Sequence, residues 1–374
     1  MFENIRRLLL NLPGWHTKRK IVVFDSDDWG SVALPSEQVF NNLLNAGFNI
    51  ARNPYLKYDS LASESDLTAL FDVLLKFRDK NGNYPVITAN TVVANPDFEK
   101  IRASGFQEYH YELFTETLKR YPEHANSFKL WNEGIQNKIF HPQFHAREHL
   151  NVAYWMKELQ SGHPKIHLGF NNNFYILDNA THPSIRHSCT SAFYPKSTNE
   201  LHEIENIIKD GLSIFKNIFG YTSESFTGTG YIWNSSLEKM LADEGVIFLK
   251  GLVVQREPII GTDRFKKRYH FTGQTNKEKQ VHLVRNAFFE PGIVENYDWI
   301  SDCLNRIDLA FRTGKPAILT THRINFIGFI DEKYRNKNLK LFENLLTMIT
   351  QKYKDVEFMS SSSLGNLILK GELS

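Results

Sequence analysis

Residues 20–30 read KIVVFDSDDWG, and this stretch decides the fold class. Ile21 to Phe24 is an unbroken run of β-branched and apolar side chains, and it ends in three carboxylates, Asp25, Asp27 and Asp28. A parallel strand buried on both faces reads as such a run, and in α/β proteins the chemistry gathers where the C-terminal end of the strand opens into a loop. Residues 317–323, AILTTHR, repeat the pattern late in the chain and close on His322. Between the two, residues 141–149, HPQFHAREH, space His141, His145 and His149 four apart. Carboxylates and imidazoles at separate strand ends are the parts of a divalent-metal hydrolase.

Outward from these segments, strand and helix signals alternate from about residue 20 to the end. PVITAN (85–90), KIFHPQFH (138–145), SFTGTG (225–230), VIFLKG (246–251) and PAILTTHR (316–323) read as strands. Amphipathic helices separate them, for example Leu67, Leu70, Phe71, Leu74 and Leu75, and the long run from Leu201 to Gly220. VVANPDF (92–98) reads as a polar loop, and residues 262–279 as a hairpin or surface excursion. Periodicity disappears from His163 to Lys196, which reads as a long loop or insertion, about 163–200. Ser360–Ser363 reads as a turn and helix cap. The alternation predicts a parallel α/β barrel or a doubly wound sheet. Neither GxGxxG after the first strand nor GxxxxGK[ST] is present, which argues against a nucleotide fold.

Composition narrows the class. The 374 residues are 41% hydrophobic and 23% charged, enough for one full-sized barrel, and a net charge of +2 points to neither nucleic acid nor an acidic partner. Cys189 and Cys303 are too few and too far apart for a disulfide framework, and predict reduced thiols. The start, MFENIRRLLLNLPGW, has an apolar core too short for a secretory signal, and no stretch reaches a membrane span. A cytoplasmic location is therefore expected. Ile5, Leu8, Leu9 and Leu12 share one helical face and predict a short helix packed on the body, with a peripheral membrane helix as the alternative.

The ordered set of motifs resembles the polysaccharide deacetylases, the NodB-homology family of carbohydrate esterase family four. Asp27-Asp28 closes the first strand, a His-x3-His pair follows, then SFTGTGYIWNSSLEKMLADEG, the pair Asp298-Trp299, and LTTH ending at His322. The resemblance covers residues 20 to 325 and implies a distorted (β/α)7 barrel, here one domain over residues 1–374 with its core at about 20–365. It implies a divalent ion, most simply zinc, held by Asp28, His145 and His149. It further implies Asp27 as general base, His322 as the acid that protonates the leaving amine, and Asp298 as the group orienting that histidine. Trp29, Trp299 and Arg323 would shape the carbohydrate site. The implied reaction is hydrolysis of the acetamide of an N-acetylamino sugar in a glycan or glycan precursor.

Some assignments stay open on sequence alone. His141/His145 and His145/His149 share the same spacing; the second pair is favoured because the family places a small residue after its first histidine, here Ala146, and because His149 directly precedes a helix start near Asn151. Asp25 and Asp27 lie on one face of a strand, so Asp25 is the alternative base. The family's third motif carries an arginine that braces the base, whereas Phe226–Gly230 has none; Arg323 and Arg147 are the candidate replacements. Trp233 and Tyr231 could stack on sugar, and Asn90 and Glu290 could contact it. Two rivals share the carbohydrate substrate: a glycoside hydrolase using two carboxylates without metal, and a binding homologue without turnover.

Overall fold

Strand β1 (Lys20–Trp29) is central to the fold in the computed structural model, which describes residues 7, 11–176 and 189–371. The remaining strands are β2 (Ile87–Val92), β3 (Ala94–Pro96), β4 (Tyr111–Leu113), β5 (Phe140–Ala146), β6 (Ser225–Thr227), β7 (Phe248–Gly251), β8 (Val254–Pro258), β9 (Phe265–Tyr269), β10 (Val281–Val284), β11 (Ala287–Phe288), β12 (Ala317–His322) and β13 (Val356–Phe358). The main sheet is parallel and runs β10-β7-β6-β5-β2-β1-β12-β11, with β13 added beside the start of β1. β10 and β11 end this path at opposite edges, yet only Arg285 and Asn286 separate them. Residues 281–288 are thus one stave that pairs with β7 through its first half and with β12 through its second. The sheet closes on itself as seven staves, the expected (β/α)7 barrel.

Period-two alternation sorts each stave into an outward and an inward face. Val22 and Phe24 face outward and pack with Leu70, Phe71, Ile307, Phe342 and Leu346 from the surrounding helices. Ile21 and Val23 face inward with Phe248, Val281, Leu283 and Ile318. Helix Ser361–Leu369 plugs this lower end through Leu364, Leu367 and Ile368. Gly365 permits the close approach, since a Cβ there would sit 2.3 Å from the Phe248 ring. Ser360 caps this helix, accepting from the Ser363 N–H as the serine run predicts. Two residues further along each inward face the apolar side chains give way to Asp25, Asn90, Lys250 and Arg285, all fully buried.

Three local expectations are corrected. The segment after His163 is not loop throughout: Pro164 starts a helix, Pro164–Asn171, whose Ile166 and Phe170 pack with Trp155. VVANPDF contains β3, paired antiparallel with β4. The hairpin expected at 262–279 begins earlier, with β8 paired to β9. Residues 177–188 of the expected insertion, and Ile5, Leu8 and Leu9 of the N-terminal segment, lie outside the described residues. Cys189 and Cys303 are both buried, and no disulfide joins them. Among the described residues no helix is long and apolar enough to cross a membrane.

Candidate active site

The upper rim of the barrel brings Asp27, Asp28, His145, His149 and His322 around one cavity of about 290 Å³. Their positions follow from strand geometry. Asp27 pairs in register with His322 across β1 and β12, and the β1–β2 register shifts between Ser26 and Trp29. In that bulge Asp28 takes φ 73°, the left-handed region that side-chain-bearing residues seldom occupy. Strict alternation would point adjacent carboxylates to opposite faces; the bulge turns both into the cavity. His145 sits near the end of β5, and His149 on the loop beyond it.

Asp28, His145 and His149 form a donor triad whose ligand atoms all lie within 4.8 Å of one another. Asp28 Oδ1 stands 3.4 Å from Nε2 of both His145 and His149. Tetrahedral zinc with bonds of about 2.0–2.2 Å separates neighbouring donors by roughly that edge, about 3.4 Å. His145 donates Nδ1–H to the Thr227 carbonyl at 2.7 Å, which leaves Nε2 a free lone pair facing the triad. Burial lowers the pKa of His149, favouring the neutral, ligating imidazole. Burial opposes the charge on Asp28, but the neighbouring histidines when protonated, His149 first, outweigh it and hold the carboxyl well below the usual range. The donor set therefore fits a divalent ion.

Below the triad lies a buried charge quartet. Arg285 donates from Nε to Asp25 Oδ2 at 2.8 Å, and from Nη1 and Nη2 to the two oxygens of Asp27 at 2.5 and 2.7 Å. Lys250 donates to Asp25 Oδ1 at 2.9 Å and to the side-chain oxygen of Asn90. Asn90 returns its amide to Asp25 and Asp27 at 3.0 and 2.7 Å. Two carboxylates and two cations thus cancel in a buried layer, which an isolated ion could not occupy. Burial alone would raise the Asp27 pKa, but Arg285 beside it keeps the carboxyl ionised and well below the usual range.

His322 is held from the other side. Its Nδ1–H donates to Glu290 Oε1 at 2.6 Å, while Nε2 faces Asp27 Oδ2 at 3.8 Å. Asn325 donates to Glu290 Oε2 at 2.7 Å, so the carboxylate is fixed as well. Burial works against the imidazolium, but the Glu290 charge, with Asp28 and Asp27 behind it, pushes the His322 pKa up to about 10.

Several residues singled out in the sequence lie elsewhere. Asp298 is exposed and caps helix Trp299–Arg312, accepting from the Ser301 N–H; Glu290 occupies the place beside His322 expected for it. Trp299 donates to the Val294 carbonyl on the same surface. Trp29 is core, packed against Trp131, Phe140 and Phe326, and Trp233 packs against Phe226. Arg323 is fully buried on Asp59, and Arg147 on Glu148 and Asp210, so neither braces Asp27. That brace is Arg285. Asp25 lies one layer below the cavity rather than on it. His141 is at the opposite end of the lumen, near Ser362. Arg285 and Lys250 went unnoticed in the sequence although each carries a signal, a charge at an inward position of an otherwise apolar strand. Tyr55 lines the cavity from the short helix Pro54–Tyr58, and Asp59 and Tyr175 from irregular segments; no motif marks any of them.

No protein-family profile and no curated protein matches the sequence. Solved structures do match. A candidate glycoside hydrolase/deacetylase from Parabacteroides distasonis aligns at 8% identity over 95% of this chain and 72% of its own, with a TM-score of 0.50. A candidate polysaccharide deacetylase from Mycobacterium smegmatis aligns at 9% identity over 97% and 94%, with a TM-score of 0.46. A 4-alpha-glucanotransferase from Thermococcus litoralis aligns at 10% identity over 95% of this chain and 41% of its own, with a TM-score of 0.45. The likeness to the Parabacteroides distasonis structure is one of fold, that of an α/β barrel.

Proposed function

We propose that this protein is a divergent polysaccharide deacetylase-like hydrolase that removes the acetyl group of an N-acetylamino sugar with the help of a divalent ion. The donor triad Asp28, His145 and His149, flanked by Asp27 and His322 in one cavity, carries this reading. An ion bound there would polarise the acetyl carbonyl and acidify a water toward neutrality.

The chain's own groups supply the proton transfers. Asp27 is ionised and immobile, fixed by Arg285 and Asn90, and its Oδ2 is turned toward His322. It accepts the proton that the attacking water sheds as its oxygen bonds to the carbonyl carbon. His322 carries its proton on the nitrogen facing the cavity, because Glu290 occupies the other. It donates that proton to the amine nitrogen as the C–N bond breaks. Acetic acid and the amine leave, becoming acetate and ammonium in solution, and the proton held by Asp27 passes to His322 and restores the imidazolium. Tyr231, whose hydroxyl accepts from Arg285 at 2.9 Å, lines the same cavity and can donate to substrate oxygen.

The test is incubation of the zinc-, cobalt- or nickel-loaded protein with N-acetylated oligosaccharides and nucleotide-linked N-acetylamino sugars. Mass spectrometry should show loss of single acetyl groups, acetate should appear, and a chelator should stop both. Cleavage of glycosidic bonds that a chelator leaves untouched would establish the two-carboxylate glycosidase instead. Metal uptake with no turnover on any of these substrates would leave a binding protein.

A further inference from the structure

The cavity above the triad is small for a polymer. Its volume of about 290 Å³ is at the lower end of the range for ligand pockets. The described walls leave room for one sugar ring with its acetamide arm. The walls come from separate segments: Tyr55 and Leu56 on helix Pro54–Tyr58, Tyr175 after the helix ending at Asn171, and Tyr231 in the turn after β6. A tyrosine offers a flat apolar face and one hydroxyl, the two features a pyranose matches.

Asp59 completes the lining. It is only 3% exposed, and its Oδ1 receives both Nε and Nη2 of Arg323, at 3.2 and 2.6 Å. Arg323 also donates to the Ser31 carbonyl, so the pair cannot swing. No donor among the described residues reaches Asp59 Oδ2. A carboxylate held still at a cavity wall, with one oxygen that no described donor reaches, is set to accept hydrogen bonds from a ligand.

We propose that the cavity takes one amino-sugar unit, either free or at the end of a chain, and that Asp59 selects it by accepting from its ring hydroxyls. This rests on the reading above that the substrate is an N-acetylamino sugar. It excludes internal units of a long polysaccharide, which would need space for rings on both sides of the reacting one.

Calorimetric binding, which needs no turnover, tests it on the metal-loaded protein. The probes are N-acetylglucosamine, N-acetylgalactosamine, N-acetylmannosamine and N-acetylglucosamine oligomers of two to four units. At least one monosaccharide should bind, and lengthening should change Kd less than about threefold. Asp59→Asn should weaken the monosaccharide at least tenfold, as expected for a lost hydrogen bond to a charged group. A tetramer bound more than tenfold tighter than the monomer would overturn the proposal, as would binding by none of the sugars. An Asp59→Asn protein that is folded by circular dichroism and binds like wild type would overturn the role of Asp59. The chain-length comparison needs no variant and decides the matter if that protein does not fold. Sugar binding without acetate release would uphold this inference and sink the deacetylase reading; acetate released from internal units alone would do the reverse.

Discussion

The two ends of the barrel lumen both carry histidine, serine or threonine, and carboxylate, and the lower end has the larger space, about 730 Å³ against about 290 Å³. They differ in what their polar atoms are doing. At the lower end Gln143 is locked by Ser223 and Ser225 on its oxygen, so its amide donates to His141 Nε2 at 3.1 Å and occupies the lone pair. Burial takes the His141 pKa down to about 4. Glu357 there is paired with Arg19, and Asp79 with Asn83 and the backbone. At the upper end the strands instead present two imidazole lone pairs and a carboxylate oxygen to one point. One strand supplies both situations, since His141 and His145 lie roughly 13 Å apart along β5. Unused electron-pair donors, rather than cavity size, distinguish the end proposed to be reactive.

The most severe way to break this comparison is to exchange the histidines' fates. His145→Ala or Asp28→Asn should lower bound divalent ion from about one per chain to none after dialysis, as expected for a site with only three protein ligands. His141→Ala should retain it. Elemental analysis of the three variants checks both statements. Metal lost from the His141 variant would place the ligands on the wrong imidazoles and erase the distinction between the two ends.

Arg285 sharpens the comparison next, because it separates a charged layer from an apolar one. Arg285→Met removes a guanidinium from between two buried carboxylates, leaving Lys250 on Asp25 and the His322 imidazolium 3.8 Å from Asp27. Removing one partner of a buried ion pair costs about 3–5 kcal/mol. Urea unfolding should show a loss of that order, and any folded fraction should turn over far more slowly with Asp27 unbraced. Arg323→Ala should leave the Asp27 contacts intact and affect substrate affinity through Asp59 instead. Equal effects of the two variants on kcat would remove the reason for giving the brace to Arg285.

Much of this was legible in the sequence, and the rest fails for physical reasons. The ends of β1, β5 and β12 announce themselves because apolar runs break there into carboxylate or imidazole. Barrel closure does not, because 281–288 is one short segment whose two halves pair with strands far apart in the sequence, and pairing partners leave no local mark. The resemblance places the brace on Asp27 beside β6, where Phe226–Gly230 has no arginine, and Arg323 and Arg147 stand out as replacements, yet the barrel lets any neighbouring stave reach the same axis. Arg285 shares its inward phase with Val281 and Leu283, so the alternation marks it once the strand is recognised. Trp29 was misread because its neighbour Asp28 is in the site, whereas the bulge sends the indole outward to donate to Ser26 Oγ at 2.8 Å.

Glu290 offers a smaller, graded perturbation. Glu290→Gln keeps the shape beside His322 but removes its charge, so turnover should fall about 10- to 100-fold while bound metal is unchanged, a loss typical of orienting partners. The pH dependence gives a second readout. His322 titrates near 10 in the folded chain against about 6.5 when unfolded. A raised pKa means that the folded state holds the proton more tightly, so this stabilisation is fully present below about pH 6.5 and fades as pH rises through about 10. Metal-free wild type should therefore lose stability across that window in urea titrations, and Glu290→Gln should lose less. Parallel stability–pH curves for the two proteins would show that Glu290 does not hold the imidazolium.

The mildest change distinguishes proximity in sequence from proximity in space. Asp298-Trp299 stands in the order where a catalytic pair is expected, but Asp298 accepts from the Ser301 N–H at 3.0 Å as the cap of helix Trp299–Arg312. An aspartate followed by a large apolar residue is also what a helix start requires: the carboxylate satisfies an orphan N–H and interacts favourably with the positive end of the helix. The same two letters thus satisfy a local rule that has nothing to do with the barrel axis. Asp298→Ala should cost on the order of 1–3 °C in Tm, as a lost cap does in a chain of this length, and leave metal content, kcat and KM unchanged. A selective fall in kcat with no shift in Tm would return Asp298 to the reaction and require the 298–299 turn to move onto the rim during turnover.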